Sequence, residues 1–207
     1  MSAAGRPTAG RVLPRPHAWS VLLCLSLIAG LLFLPSINAN AASFVVTTPA
    51  DTGTGSLREA ILQANASPGA DAITFAIPGS GAQTISPASP LPAITEQVSL
   101  DATTQPGASS CDPWPPTLLI RLEGSGAGIA TSGLTVSGGT GTVIKGFIFR
   151  RFDGDGISLS APASGTTITC NAIGTTPDAS AVVGNIGAGI AVRSTDLAAS
   201  SPTTISG

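Results

Sequence analysis

The sequence has few charged residues and no tyrosine. Charged side chains make up 10% of the 207 residues and aromatic side chains 4%, whereas about 25% of the residues in ordinary globular domains are charged. A hydrophobic fraction of 43% and a net charge of −2 argue against intrinsic disorder. With its 25 glycines and 17 prolines, the composition is typical of a turn-rich β-protein with a core of small aliphatic side chains.

After the first 41 residues the sequence has one lysine and no histidine. Arg6, Arg11 and Arg15 are three of the nine basic residues, so six basic residues remain against 11 acidic ones, a net charge of −5. Lys145 is the only lysine, and the only histidine is His17. Such an acidic chain argues against nucleic acid and anionic membrane surfaces as partners. Without histidine, serine–histidine–aspartate catalysis and histidine-ligated zinc are excluded.

Residues 1–41 have the three parts of a secretion signal. A basic start is followed by the apolar stretch from Trp19 to Leu34 and by the small-x-small sequence Ala39-Asn40-Ala41. The alternative is an uncleaved anchor, but the apolar stretch is shorter than the roughly 20 residues of a membrane span. The sequence therefore predicts an exported protein, secreted or at the cell surface, that begins at Ala42 and has no membrane span.

One complete helix signature follows, in "GSLREAILQANA" (55–66). Ser56 and Glu59 have the spacing of a capping box. The apolar positions share one helical face: Leu57, Ala60, Ile61 and Ala64. A helix of about ten residues is marginal alone, so we expect it to cover the open end and the free strand edge of a repetitive β structure. The alternative is an ordinary surface helix.

Two short patterns recur from residue 133 onward. The first is glycine, apolar, any residue, apolar: "GLTV" (133–136), "GISL" (156–159) and "GIAV" (189–192). The second centres on isoleucines at similar steps: Ile144, Ile168 and Ile205. Periods of 20–50 residues indicate a solenoid, and these predict an all-β parallel β-helix with one N-terminal capping helix and an insertion at 173–185. The alternative is a β-sandwich.

We divide the chain after the signal into an N-terminal cap with the first coils, 42–107, and further coils, 108–207. The sequence stops at "TTISG" (203–207), in the middle of a repeat strand, so we expect more coils beyond Gly207. Two cysteines lie in this part, Cys111 and Cys170. An oxidising compartment permits a disulfide between them, but two buried thiols are an equal alternative.

The stretch "GSLREAILQANA" resembles the CSLREA-type N-terminal domain of bacterial surface proteins. The flanks "FVVTTPADTGTG" and "ADAITFAIPGSG", and the later "DATTQPG" and "IKGFIFRRFDGDGISL", are similar to that domain and the coils that follow it. Gly55 stands where the name-giving cysteine would be. The resemblance covers roughly residues 43 to 207 and implies a right-handed parallel β-helix of the pectin-lyase-like class on an exported protein, without implying an activity.

The stretch "RRFDGDG" (150–156) carries the candidate chemistry. Asp153 and Asp155 are paired carboxylates, with Arg150 and Arg151 beside them. Such a pair serves in glycoside hydrolysis or in a Ca²⁺ site, but Asp-Gly is also a common turn pair. We interpret both aspartates as turn residues whose charges an adjacent arginine compensates. No cofactor is assigned, with Ca²⁺ as the alternative.

We therefore predict a non-catalytic stalk or adhesin-like module that presents loops to extracellular glycans or other cell-surface partners. The alternative is a carbohydrate-active enzyme, a polysaccharide lyase or glycoside hydrolase acting on acidic polysaccharide. Asn171 and Asn185 are interpreted as turn residues, with contact to a sugar as the alternative. Trp114, between two prolines, is interpreted as a loop anchor, with a sugar-stacking platform as the alternative.

Overall fold

The computed structural model describes residues 40–109, 111–113, 115–160 and 163–193, together with the strand at 204–206. Within these residues the protein is all-β apart from one α-helix, α1 (Leu57–Ala66), and two 3₁₀ helices, Ala102–Thr104 and Gly124–Gly126. The strands are β1 (Ser43–Val46), β2 (Asp71–Phe75), β3 (Gln83–Ile85), β4 (Val98–Asp101), β5 (Ile120–Glu123), β6 (Leu134–Val136), β7 (Val143–Lys145), β8 (Phe147–Arg150), β9 (Ile157–Ser160), β10 (Thr167–Thr169), β11 (Ala172–Ile173), β12 (Ile190–Arg193) and β13 (Thr204–Ser206).

The strands form three parallel sheets, here called sheets 1, 2 and 3. Sheet 1 has the order β1-β2-β4-β7-β10-β13, sheet 2 the order β11-β8-β5-β3 and sheet 3 the order β12-β9-β6. The chain visits them in a fixed cycle: β4, β5 and β6 lie in sheets 1, 2 and 3, and β7 to β9 and β10 to β12 repeat that sequence. Each of these strands therefore pairs with the strand one cycle away, not with its neighbour in sequence.

Like residues lie side by side in sheet 1. Ile144 is in register with Leu100 on one side and with Ile168 on the other, and Ile168 is in register with Ile205. Leu100, Ile144 and Ile168 are all buried. A repeated inward position must be apolar and of similar size, because its neighbours are the same position one cycle before and after. The pairing of the isoleucines that the sequence pattern predicts is confirmed.

Glycine precedes each strand of sheet 3 because the backbones there come very close. A Cβ at Gly133 would lie 2.5 Å from the carbonyl oxygen of Gly156, and a Cβ at Gly156 would lie 2.6 Å from the carbonyl oxygen of Gly189. The same carbonyls accept hydrogen bonds from the N–H groups of Leu134 and Ile157, at 3.2 and 3.0 Å. The glycines of the first sequence pattern thus let neighbouring cycles hydrogen-bond as each strand begins.

Helix α1 connects two adjacent strands of sheet 1, β1 and β2. The next connection contains β3 of sheet 2, and the later ones contain one strand each of sheets 2 and 3. Its buried side chains are the four predicted ones: Leu57, Ala60, Ile61 and Ala64. They belong to the main hydrophobic core, and α1 contacts both β1 and β2. Since β1 is the edge strand of sheet 1, the helix completes the core beside that edge. The predicted helix and its apolar face are confirmed.

Only half of the predicted capping box forms. The Oγ of Ser56 accepts the N–H of Glu59 at 3.2 Å, which fixes the start of the helix. The N–H of Ser56, however, donates to the carbonyl of Gly53 at 3.1 Å, and the Glu59 carboxylate accepts from Nε2 of Gln63 at 2.9 Å. The predicted role of Glu59 is wrong because a tight turn before the helix already supplies the acceptor.

The polar side of α1 forms an ion pair and hydrogen bonds with the neighbouring loops. Arg58 forms an ion pair with Asp51, Nη2 to Oδ1 at 2.6 Å. The Asn65 amide donates to the carbonyl of Ala93 at 2.7 Å and accepts the N–H of Thr95 at 2.9 Å. A helix of ten residues therefore receives its stability from tertiary contacts on two faces, as its short length requires.

A second, smaller hydrophobic cluster lies apart from the main core. It contains Leu118, Ile148, Cys170 and Ala172, with Cys111 packed against it. Cys111 and Cys170 form a disulfide, with their Cα atoms 5.5 Å apart. This decides between the two alternatives left open by the sequence, and Cys111, in the loop "SSCDPWPP", is thereby fastened beside Ile148 and Ala172 of sheet 2. Within that loop, Trp114 lies outside the described residues.

The predicted insertion forms a loop between β11 and β12. Its base is closed by the N–H of Val183, which donates to the carbonyl of Gly174 at 2.8 Å. At its tip the Asp178 carboxylate accepts from the hydroxyl of Thr176 at 2.6 Å and from the hydroxyl of Ser180 at 2.8 Å. These hydrogen bonds, the one from Thr176 first, lower the pKa of Asp178 from 3.8 to about 2.

No helix in the described part of the chain is long and apolar enough to cross a membrane. The predicted signal, residues 1–41, lies outside the described residues except for Asn40 and Ala41, which are both exposed. The residues from 40 onward belong to one compact unit of the chain, Asn38–Gly207.

Candidate functional site

The four residues that the sequence singles out lie between β8 and β9. Arg150 ends β8, and Arg151 follows with a φ of 57°, in the left-handed region that non-glycine residues seldom adopt. Asp153 lies in the bend that follows and is partly buried, whereas Asp155 is only 4% exposed. The chain turns sharply here, as predicted, and the arginines and the aspartates face different partners.

The two aspartates accept hydrogen bonds from backbone N–H groups of different cycles. Asp153 Oδ2 accepts the N–H of Ala130, at 2.5 Å, from the preceding cycle. Asp155 Oδ1 accepts the N–H of Ala188, at 2.9 Å, from the following cycle, and its Oδ2 accepts from Nη2 of Arg193 at 2.6 Å. Compensation of the aspartates by an adjacent arginine was a wrong prediction: the cation beside Asp155 comes from β12, one cycle later.

Arg150 and Arg151 instead share an acidic residue that sequence reasoning missed. Glu123 ends β5, directly opposite Arg150 in the parallel register, and is 7% exposed. Its Oε2 accepts from Nε of Arg150 at 2.6 Å and from Nη1 of Arg151 at 3.4 Å. Its other oxygen, Oε1, is buried without a hydrogen-bond partner among the described residues.

Arg121 brings a third guanidinium group to the same place. Its Nη1 donates to Oγ1 of Thr84 at 3.3 Å, and its Nε is buried without a hydrogen-bond partner in the described part of the chain. Burial lowers the pKa of Arg121, and the Arg150 guanidinium lowers it further, because like charges in a partly dry environment repel. Three guanidinium groups thus interact with the Glu123 carboxylate, two of them as ion pairs.

An open groove of about 340 Å³ adjoins this arginine cluster, defined as Arg121, Arg150 and Arg151. One side is the glycine-rich turn at 124–128, and the other carries Arg151 and Asp153. Two nearly bare aliphatic side chains complete the lining, Ile129 at 93% and Ile186 at 79% exposure. The groove therefore offers one guanidinium group, one carboxylate and an aliphatic surface to a ligand.

The floor of the groove is held by close packing of Gly124 on the core. A Cβ at Gly124 would collide with the ring of Phe152, a side chain that is 1% exposed. The N–H of Phe152 in turn donates to Oδ1 of Asn185 at 3.0 Å. The glycine turn, the phenylalanine and the asparagine come from three successive cycles, so the shape of the groove depends on the stacking of the cycles.

The two asparagines bond to backbone. Asn171 accepts the N–H of Phe147 at 2.9 Å and donates to the carbonyls of Ile144 and Thr169, at 2.9 and 2.8 Å. Asn185 lies beside the groove but not in its lining. Both amides therefore support corners between cycles, which agrees with their interpretation as turn residues.

The described residues contain no group of three or more histidine, cysteine, aspartate or glutamate side chains that could hold a metal ion. Asp153 and Asp155, the candidate Ca²⁺ ligands, each already accept a backbone N–H. The carboxylate of Asp155 is also paired with Arg193. As arranged here, the pair serves as a set of hydrogen-bond acceptors for backbone and arginine.

The alternation of apolar and charged residues along β5 was the sequence signal that could have identified Arg121 and Glu123. In "IRLE" (120–123) Ile120 and Leu122 are buried in the main core, so Arg121 and Glu123 must share the opposite face of sheet 2. The sequence places these charges on one face, but it does not give the register that sets Glu123 beside Arg150.

No protein-family model, curated protein or solved structure matches this chain.

Proposed function

We propose that this chain is an exported bacterial surface module, a right-handed parallel β-helix capped by α1, that binds acidic glycans without turning them over. The repeated cycle of sheets 1, 2 and 3 supports the β-helix, and parallel crossover connections are right-handed in about 98% of cases. The position of α1 beside the β1 edge supports its role as the cap. The sequence "SLREAI" and its flanks support a relation to CSLREA-type surface proteins.

The arginine cluster beside the open groove carries the proposed ligand class. Three of the six basic residues that follow the predicted signal are gathered around one carboxylate, in a chain that is otherwise acidic. Guanidinium groups bind carboxylates and sulfates through charge-assisted hydrogen bonds. Arg151 is the natural contact, because its side chain is 57% exposed and lines the groove. The exposed isoleucines provide aliphatic surface for the sugar rings.

Binding without catalysis is favoured by the state of the aspartate pair. Hydrolysis by two carboxylates requires both to face one glycosidic bond. Asp155 is buried, paired with Arg193 and absent from the groove lining, so only Asp153 faces a ligand there. A glycoside hydrolase, which is one form of the alternative, therefore requires a second carboxylate from elsewhere in the protein.

Titration calorimetry of the exported protein with an oligogalacturonate, compared with a neutral oligosaccharide, tests the proposal. We expect binding of the uronate only, weakened by salt. Arg151→Gln should reduce the affinity roughly tenfold or more, as expected for a lost charge-assisted hydrogen bond. Lys145→Gln is the matched control: it removes one positive charge from sheet 1, away from the groove, and should leave the affinity unchanged.

Equal losses in both variants would show that only net charge matters and would overturn the groove as the site. Absence of uronate binding would overturn the ligand class. Accumulation of unsaturated products that absorb in the ultraviolet would promote the enzymatic alternative.

A further inference from the structure

Asp71, the first residue of β2, is a buried acidic residue without a cation. The residue is only 2% exposed. Oδ1 accepts the N–H of Ala42 at 2.7 Å and the hydroxyl of Ser67 at 3.4 Å. Oδ2 is buried without a hydrogen-bond partner among the described residues, and none of the ion pairs in the described part of the chain involves Asp71.

A buried carboxylate in this state is costly. Removing a charge from water is expensive unless it is paired and hydrogen-bonded, and an orphaned buried oxygen adds its own desolvation penalty. Asp71 meets only neutral donors, at one oxygen. The site therefore lacks one positive charge and at least one further donor directed at Oδ2.

The nitrogen that contacts Asp71 is the one at which the predicted signal is cleaved. Ala42 follows the small-x-small sequence Ala39-Asn40-Ala41, and both Asn40 and Ala41 are exposed. Hydrolysis of the bond between Ala41 and Ala42 adds water across it. The oxygen goes to the acyl carbon of Ala41, which leaves as a carboxylate, and the Ala42 nitrogen becomes an ammonium group with three N–H donors.

We propose that Asp71 is the receptor for the new N-terminus created by cleavage before Ala42. Cleavage turns a single amide donor at 2.7 Å into a cation at the same place, with spare donors for Oδ2. The carbonyl of Ala42 accepts the N–H of Ala72 at 2.8 Å, so the terminus is held in register with β2 on both sides of its Cα. Processing thus completes the β1–β2 edge against which α1 lies.

This inference rests on the proposed export and is independent of the proposed ligand. It is tested on exported protein by N-terminal sequencing and by denaturant unfolding of three forms. The first begins at Ala42 with a free amino group. The second is the same chain with that group acetylated, which removes the charge without changing the sequence, and the third begins at Ala41, which moves the charge one residue away.

We expect the free Ala42 form to have an unfolding equilibrium constant at least about tenfold smaller than either of the other two, as for loss of one partner of a buried ion pair. In an Asp71→Asn background the difference between the free and acetylated forms should vanish. The comparison of the three forms needs no substitution, so it stands even where Asp71→Asn fails to fold.

Equal unfolding curves for the free and acetylated forms would overturn the ion pair while leaving export intact. Exported protein that begins at a residue other than Ala42 would also overturn the ion pair, and the proposed export would still stand. Retention of Met1 in a membrane fraction would overturn the proposed export together with the ion pair.

Discussion

Cys111 and Cys170 are joined by a disulfide that spans 59 positions of the chain. Cys111 lies in the proline-rich loop before β5. Cys170 directly follows β10 and has a φ of 57°. The bond therefore closes a segment that contains two full cycles of strands, from β5 to β10. It also holds Cys111 against the small apolar cluster around Ile148.

Reduction of this disulfide should lower the free energy of unfolding by about 2–4 kcal/mol. In the chain-entropy model, a cross-link that closes a loop of this length stabilises the native state by about 4 kcal/mol, and measured effects are often smaller. Denaturant unfolding of the oxidised protein and of the Cys111→Ser, Cys170→Ser double variant measures the difference. Coincident midpoints for the two would contradict it, and a thiol titration of the native chain that begins at Ala42 should find no free cysteine.

Ile61→Ala should lower the free energy of unfolding by about 2–4 kcal/mol, because Ile61 is 1% exposed in the main core and its truncation leaves a cavity. Leu62→Ala is the matched control on the next residue of α1, where the side chain is 49% exposed; it should change stability by less than about 0.5 kcal/mol. Both are measured as shifts in denaturation midpoint. Similar shifts for Ile61→Ala and Leu62→Ala would mean that α1 does not complete the core.

The repeated inward residues were predictable from sequence because the same environment recurs in every cycle. Ile144 and Ile168, for example, occupy the same inward position in adjacent strands of sheet 1 and are in register. The division between β7 and β8 does not follow from the repeat patterns, because only Gly146 lies between the two strands. That glycine has a φ of 85°, and a Cβ added there would lie 2.7 Å from the backbone nitrogen of Thr103, so a single residue forms a sharp corner between two strands.

The candidate site was only partly predictable, for a different physical reason. The turn at Asp153 follows from local sequence, since Asp-Gly favours turns. The partners of its neighbours depend on register between cycles: Glu123 for Arg150, 27 positions apart, and Arg193 for Asp155, 38 positions apart. Such distances vary with loop insertions, so adjacency in the sequence suggested the wrong pairs.

Titration of Asp178 should report the order of the loop between β11 and β12. Hydrogen bonds to the carboxylate lower its pKa to about 2, so the carboxylate stabilises the loop fully above the ordinary value of 3.8, and that contribution is lost as the pH falls through about 2. NMR titration of the side-chain carboxyl measures the midpoint. Thr176→Ala removes the strongest of these bonds and should move the midpoint upward; a parent midpoint near 3.8 would contradict the loop geometry.

Substitution of Gly156 by alanine tests the close approach of neighbouring cycles. The new Cβ would lie 2.6 Å from the carbonyl oxygen of Gly189 and 2.5 Å from Cγ2 of Ile173, so the backbone of sheet 3 must shift away and weaken the hydrogen bond from Ile157 to that carbonyl. Overpacking of this kind typically costs 1–3 kcal/mol, and we expect Gly156→Ala to fall in that range by denaturant unfolding.

Gly184→Ala is the matched control, because a Cβ at Gly184 meets no atom within 4 Å and its backbone is not left-handed. Without a collision, alanine restricts only the unfolded chain, so Gly184→Ala should be neutral or stabilising by up to about 1 kcal/mol. The difference between the two variants isolates the collision from the general effect of losing a glycine. If Gly156→Ala were as stable as Gly184→Ala, the glycine pattern before β6, β9 and β12 would have to reflect turn preference, and close contact between cycles would not be its cause.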